Sequence, residues 1–181
     1  MLLDGAYRLE RLLAEGAMGM VYLAEDEHLQ RKVAIKFILP KYIGSDEARS
    51  RFVDEARTMA RVRHLNVVEV FAFGEFMGAP YFVMEYIPGM TLTQWLRDRG
   101  TRTIPLDEAI GVLDQVCRGV AAIHDAGAVH RDLKPTNVLI GPAFRVAVAD
   151  LGLARLFGKH RQNEGSSVSG TPAYMAPEMV V

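Results

Sequence analysis

Cysteine occurs once in this chain of 181 residues, at Cys117, so no intramolecular disulfide framework holds the fold. A lone thiol fits a reducing compartment, and its place in an apolar helical pattern reads as core. Charge of one sign is also missing: 21 Lys and Arg against 22 Asp and Glu leave a formal net charge of −1. That balance excludes a general pull toward nucleic acid or an anionic membrane. The opening "MLLDGAYRLE" interrupts any secretory signal with Asp4, Arg8 and Glu10, and no apolar stretch is long enough to span a bilayer. There is no internal repeat. What remains is an ordinary globular composition, 50% hydrophobic, long enough for one sizeable core or two small lobes. Any partner has to be read from local sites.

The first part of the chain predicts strands. "YRLERLLAEG" and "MVYLAEDE" flank a Gly-containing turn, and "KVAIKFIL" is a strongly apolar run. "SRFVDEARTMARVRH" has helical periodicity, with Phe52, Ala56, Met59 and Val62 on one stripe. "VVEVFAFGE" and "YFVMEYI" return to strand. After Pro88 and Gly89 the character changes, which places a lobe boundary between 1–87 and 88–181. "TLTQWLRDRG" and "LDEAIGVLDQVCRGVAAIHDAG" predict helices, the second with Ile110, Leu113, Cys117, Val120 and His124 at spacings of three and four. "NVLI" and "RVAVAD" frame a small hairpin, and the polar run "GKHRQNEGSSVSGT" predicts a loop.

Several residues break these local patterns. Lys36 shares a strand face with Ala34 and Ile38, an apolar setting for an ammonium, although an edge-strand Lys facing solvent is the blander reading. Glu55 falls inside the apolar stripe of its helix and needs a partner, since an unpaired buried charge is expensive. Lys36 is the nearest unexplained opposite charge. In "AEGAMGMVYLA", Ala14, Gly16 and Gly19 allow backbone N–H groups to approach phosphate oxygens. That signal is weak alone, and "MVYLAED" reads as a strand, which excludes a dinucleotide-binding fingerprint. In "AVHRDLKPTNVLI", His130, Arg131, Asp132, Lys134 and Asn137 crowd one turn between apolar runs. Asp150 closes a strand before Leu151 and Gly152, either as a simple turn residue or, with Asn137, as an oxygen ligand for a hard cation such as Mg²⁺.

Together these stretches resemble the protein kinases, and among them the eukaryotic-like serine/threonine kinases of bacteria. "AEGAMGMV", "VAIK", Glu55, "HRDLKPTN", "DLG" and "APE" stand in that family's order over essentially the whole chain. The resemblance implies an α+β, two-lobed fold: an antiparallel-sheet N-lobe with one helix over 1–87, and a mostly helical, incomplete C-lobe over 88–181. It implies ATP and Mg²⁺ as cofactors, and transfer of the γ-phosphoryl group to Ser or Thr hydroxyls of proteins, autophosphorylation included. Asp132 would be the base, with Lys134 and the Lys36–Glu55 pair as the other catalytic groups, and Asn137 and Asp150 the metal ligands. ATP would lie against Ala14, Gly16, Gly19, Val21, Ala34, Lys36 and Leu139, with Met84 as gatekeeper and the adenine on the backbone of Glu85 to Ile87. Arg131 would pair with a phosphate on Ser166, Ser167 or Ser169, while Thr171 would contact the catalytic loop.

Ala14 replaces the first glycine of the Gly-rich loop, and Leu151 the usual Phe of the metal motif. Ending just after "APE", the chain reads as a fragment of a longer protein, cytoplasmic here and membrane-anchored elsewhere in related kinases. Activation within a homodimer is a further expectation of the resemblance. The rival reading is a non-catalytic nucleotide-binding or scaffold module, or a fragment inactive without the rest of its C-lobe.

Overall fold

The computed structural model describes residues 1–16, 19–39, 46–100, 103–150 and 172–174. They form two compact units, Met1–Ala60 with Glu69–Tyr86, and Arg61–Val68 with Ile87–Val181. Each has its own core.

The first unit is built on a six-stranded antiparallel sheet in the order β1-β2-β3-β4-β6-β5. Its strands are β1 (Leu2–Leu3), β2 (Tyr7–Gly16), β3 (Gly19–Asp26), β4 (Arg31–Ile38), β5 (Val70–Phe76) and β6 (Ala79–Glu85). Cross-strand partners share a face of a sheet, so the register sorts the side chains. Ala24, Val33, Ile35, Tyr81 and Val83 fall on one face and are closed over by Leu3 to make a core. The Tyr81 hydroxyl donates to Asp4 in the turn after β1, and burial together with that bond raises its pKa. Helix α1 (Asp46–Met59) buries Ala56 and Met59 while Asp54 and Arg57 stay exposed, as the apolar stripe predicts. It stops at Met59, short of the predicted stripe's last member, Val62. Val62 is nonetheless buried, because residues 61–68 leave the helix and belong to the second unit.

In the second unit, β7 (Met90–Thr91), β8 (Val138–Ile140) and β9 (Val146–Val148) form an antiparallel sheet. Thr91 ends β7, paired with Leu139, and also caps helix α2 (Leu92–Asp98). Its hydroxyl accepts from Gln94 N at 3.2 Å, and Gln94 Oε1 accepts from Thr91 N at 2.8 Å, a reciprocal cap. Helix α3 (Leu106–Asp125) begins with Asp107 and Glu108 in its first turn, where the helix dipole favours carboxylates. It ends before Gly127, whose φ of +75° suits a helix terminus. Val112, Val138, Ile140 and Val146 make the core here, with Leu92, Trp95 and Val116 packed against them.

The predicted stripe of α3 is displaced. Val112, Gly119 and Ile123 face the interior, whereas Ile110, Leu113 and Cys117 are exposed, so Cys117 is not a core residue. The reason is close approach: the Asn66 carbonyl, with Val148 of β9 behind it, leaves no room for a Cβ at Gly119, and the small residue sets which face of the helix turns inward. No described helix is long and apolar enough to cross a membrane.

Candidate active site

The sheet of the first unit gathers most of the predicted nucleotide-contacting residues by register alone. Ala14 pairs with Val21, Val21 with Lys36, and Lys36 with Phe82; in the next row Leu23 pairs with Ala34, and Ala34 with Met84. Ala14, Val21, Ala34, Lys36 and Met84 therefore lie on one face, opposite the Leu3 core. Lys36 is 6% exposed, so the edge-strand reading of a solvent-facing Lys does not hold. Glu85 pairs with Val33 and points its side chain to the other face, so toward this face it offers only backbone. Its N–H already donates to Glu69 O at 2.9 Å.

The small residues of the β2–β3 hairpin are small for different reasons. A Cβ at Gly16 would meet nothing, which leaves open space beside the backbone. At Gly19 a Cβ would collide with the Phe37 carbonyl of the neighbouring strand, so the sheet itself excludes a side chain there. A cavity of about 420 Å³ also opens on this unit, lined by Leu9, Met20, Tyr22, Phe37 and Phe76 among others. It lies on the face away from Lys36. Helix α1 carries Glu55, whose side chain is outside the described residues, so the Lys36–Glu55 pairing falls there too.

In the second unit the crowded turn becomes one hydrogen-bonded assembly. Lys134 Nζ lies 2.6 Å from Asp132 Oδ2, and the Asn137 amide donates to Asp132 O at 2.9 Å and Oδ2 at 3.2 Å. Pro135 at the start of a short 3₁₀ turn (Pro135–Asn137) brings Asn137 back over Asp132. With its Nδ2 committed to Asp132, Asn137 presents an oxygen as its other polar atom. Its backbone O accepts from Ala149 N at 2.8 Å, so Asp150, the next residue, is delivered beside it.

His130, which the sequence reading left without a role, organises this meeting point. Its Nε2–H donates to Ala149 O at 2.8 Å, and its Nδ1 accepts from Asp132 N at 3.3 Å. That pair of bonds requires the neutral ring, and burial at 3% exposure lowers its pKa in the same direction. Arg131 and Asp150 flank the arrangement with φ of +65° and +61°, a left-handed backbone that non-glycine residues hold only where the surroundings impose it. Arg131 is exposed, and Leu139 lies on β8, one residue beyond the buried Val138. Ile87 packs against Gly141, within the same unit. Ser166, Ser167, Ser169 and Thr171 lie outside the described residues.

Asn66 and Gln115 also stand here without a flag from local pattern, although Asn66 sits as a lone amide in the apolar run "NVVEV". That is the same signal that singled out Lys36. Asn66 is 4% exposed.

The protein kinase domain family model matches residues 7–181. The chain is 37% identical to the serine/threonine-protein kinase PknA of Mycobacterium tuberculosis, over 99% of its own length and 42% of that protein. It is 36% identical to the serine/threonine-protein kinase PrkC of Bacillus subtilis, over 97% of its length and 27% of that protein. It thus spans less than half of these curated relatives. The crystal structure of the M. tuberculosis PknI kinase domain superposes with a TM-score of 0.73 at 33% identity, over 81% of this chain and 60% of that one. On the two-lobed fold, the ordered motifs and these matches, the chain belongs to the protein kinase family.

Proposed function

We propose that the protein is an ATP-dependent serine/threonine kinase that transfers the γ-phosphoryl group to Ser or Thr hydroxyls of protein substrates. The observation that carries this reading is the closed set at the catalytic turn, where Asp132, Lys134 and Asn137 are mutually bonded and Asn137 is tied to the residue before Asp150. The two units correspond to the kinase N-lobe and part of its C-lobe.

In this reading Asp132 accepts the proton of the attacking hydroxyl, and Lys134 neutralises charge on the transferred group. Pairing with Lys134 and Asn137 holds the Asp132 carboxylate in one orientation before substrate arrives, which limits the reorganisation needed at the moment of transfer. Lys36, oriented by Glu55, contacts the α- and β-phosphates of ATP. On the sheet of the first unit Val21 and Ala34 face the adenine, with Met84 beside it, and the bare backbone at Gly16 admits phosphate oxygens.

The donor set fits Mg²⁺: the Asn137 amide oxygen and the Asp150 carboxylate are hard oxygen ligands, the kind that ion prefers. Bound there, Mg²⁺ supplies charge neutralisation of the phosphate oxygens. Phosphate on Ser166, Ser167 or Ser169 would find a guanidinium partner in Arg131.

The test is transfer of label from γ-labelled ATP to protein Ser or Thr by the full-length protein in Mg²⁺. Asp132→Asn is expected to lower turnover by roughly 10²–10⁴-fold while ATP still binds. Turnover retained in that variant would overturn the assignment, and ATP binding without transfer in the unaltered protein would support the scaffold reading instead.

A further inference from the structure

Strand β9 is only three residues long, yet it ends two residues before Asp150. On one edge it pairs with β8. On the other, residues 66–68 run parallel to it: Val148 N donates to Asn66 O, and Val68 N to Val148 O, both at 2.9 Å. The start of the strand is held differently, by side chains. Asn66 Nδ2 donates to Val146 O at 2.7 Å, and Gln115 Oε1 accepts from Val146 N at 2.9 Å, so two amides satisfy both peptide groups of one residue. The two side chains bond to each other at 3.0 Å, and Gln115 Nε2 reaches Phe144 O at 3.1 Å, just before the strand.

Asn66 is itself pinned. Its N–H donates to His64 Nδ1 at 3.1 Å, and Arg145 Nε donates to Leu65 O at 2.8 Å. A Cβ on Gly119 would collide with the Asn66 carbonyl, so α3 backs the segment without clearance. A short strand has few ladder bonds with which to fix its own direction. Buried amides that satisfy its first residue supply that direction, and leaving such groups unmade is costly.

We infer that Asn66 and Gln115 are positioning residues for Asp150, acting through β9. They anchor the strand at Val146 so that its far end sets Ala149 on Asn137 and His130 and presents Asp150 next to Asn137. Asn66 also stands seven residues after the end of α1, the helix that carries Glu55. The clasp therefore ties the chain leaving that helix to the strand leading to the metal motif. What Asp150 does rests on the kinase reading; that the clasp places it does not.

The experiment compares the full-length protein with Gln115→Leu, which removes both amide groups, and Gln115→Glu, which keeps the acceptor for Val146 N. Backbone amide exchange at Val148 and Ala149 is read against amides of β6, and ATP binding is titrated with Mg²⁺. Gln115→Leu is expected to accelerate exchange at Val148 and Ala149 selectively. It should also raise the Mg²⁺ concentration needed for half-maximal binding by about tenfold or more, as loss of groups that orient metal ligands does. Binding of ATP in chelator should not change, and Gln115→Glu should recover most of the effect. Where Gln115→Leu does not fold, the milder Gln115→Glu variant is read in its place, with exchange at Ala149 still faster than in the unaltered protein. Unchanged exchange at these two amides, or faster exchange with an unchanged Mg²⁺ requirement, overturns the inference. A lack of any Mg²⁺-dependent ATP binding in the unaltered protein would fell the kinase reading alone, and the exchange measurement would still decide whether the clasp sets β9.

Discussion

In the first unit the register of long strands decides where Lys36 points; in the second, single amides and one imidazole decide where Asp132 and Asp150 stand. A ladder spreads its positional information over many backbone bonds that any side chain can make. Side-chain clasps concentrate theirs in Asn66, Gln115, Asn137 and His130, each of which has one chemistry that fits. The first unit should accordingly fail by loss of volume, and the second by loss of a polar partner or of clearance.

The largest expected effect is in the first unit. Ile35 is fully buried against Leu3 and Val83, and Ile35→Ala should cost about 2–5 kcal/mol in denaturant unfolding. A loss under about 1 kcal/mol would mean that the Leu3 face of the sheet is not its core.

Next comes clearance in the second unit, where two glycines of α3 sharpen the contrast. Gly119→Ala should destabilise by about 1–3 kcal/mol, because the new Cβ meets the Asn66 carbonyl, which is backbone and cannot swing aside. Gly111→Ala on the same helix would meet only the Phe144 ring at 3.7 Å and should stabilise by about 0.5–1 kcal/mol through helix propensity. Equal effects at the two sites, in chemical unfolding, would remove the argument from close approach.

The smallest effect tests a polar bond in the unit otherwise ruled by packing. Tyr81→Phe deletes the hydroxyl that donates to Asp4 and should cost about 1 kcal/mol near neutral pH. Burial, then the Asp4 bond, raises the Tyr81 pKa above its ordinary 10.0. The unfolded chain therefore loses this proton first. The stability tied to Tyr81 is whole below pH 10 and declines as pH rises beyond it. Unfolding measured from pH 9 to 11 should show a decline that is smaller in the Phe variant. Parallel curves would show that Tyr81 ionises alike in both states.

The same contrast explains what could be read from sequence. β2 was legible to its ends, Tyr7 and Gly16, because alternation and turn residues are local signals. So was the face of Lys36, since a strand has period two. The crowding of Asp132, Lys134 and Asn137 into one turn was legible because these partners are neighbours in the chain. What stayed hidden depends on segments far apart in sequence. The helical pattern of α1 runs on past Met59, but capture of residues 66–68 by β9 overrides it. Cys117 sits in an apolar stripe, but the bare backbone of Gly119 decides which stripe turns inward. Gln115 lies between the buried Val112 and Gly119, at spacings of three and four, a position where an amide in place of an apolar residue was a readable flag.

Thr91 closes a strand and caps a helix with the same residue, so the chain from Met90 to Leu92 contains no slack. The seam is tightened by Gly89, where a Cβ would strike the Ile140 carbonyl. Over evolutionary time such a junction can exchange side chains that still cap and pair, but it has no place to absorb a change of length. An insertion of one residue here would turn α2 by about 100° around its axis and carry Trp95 off the core.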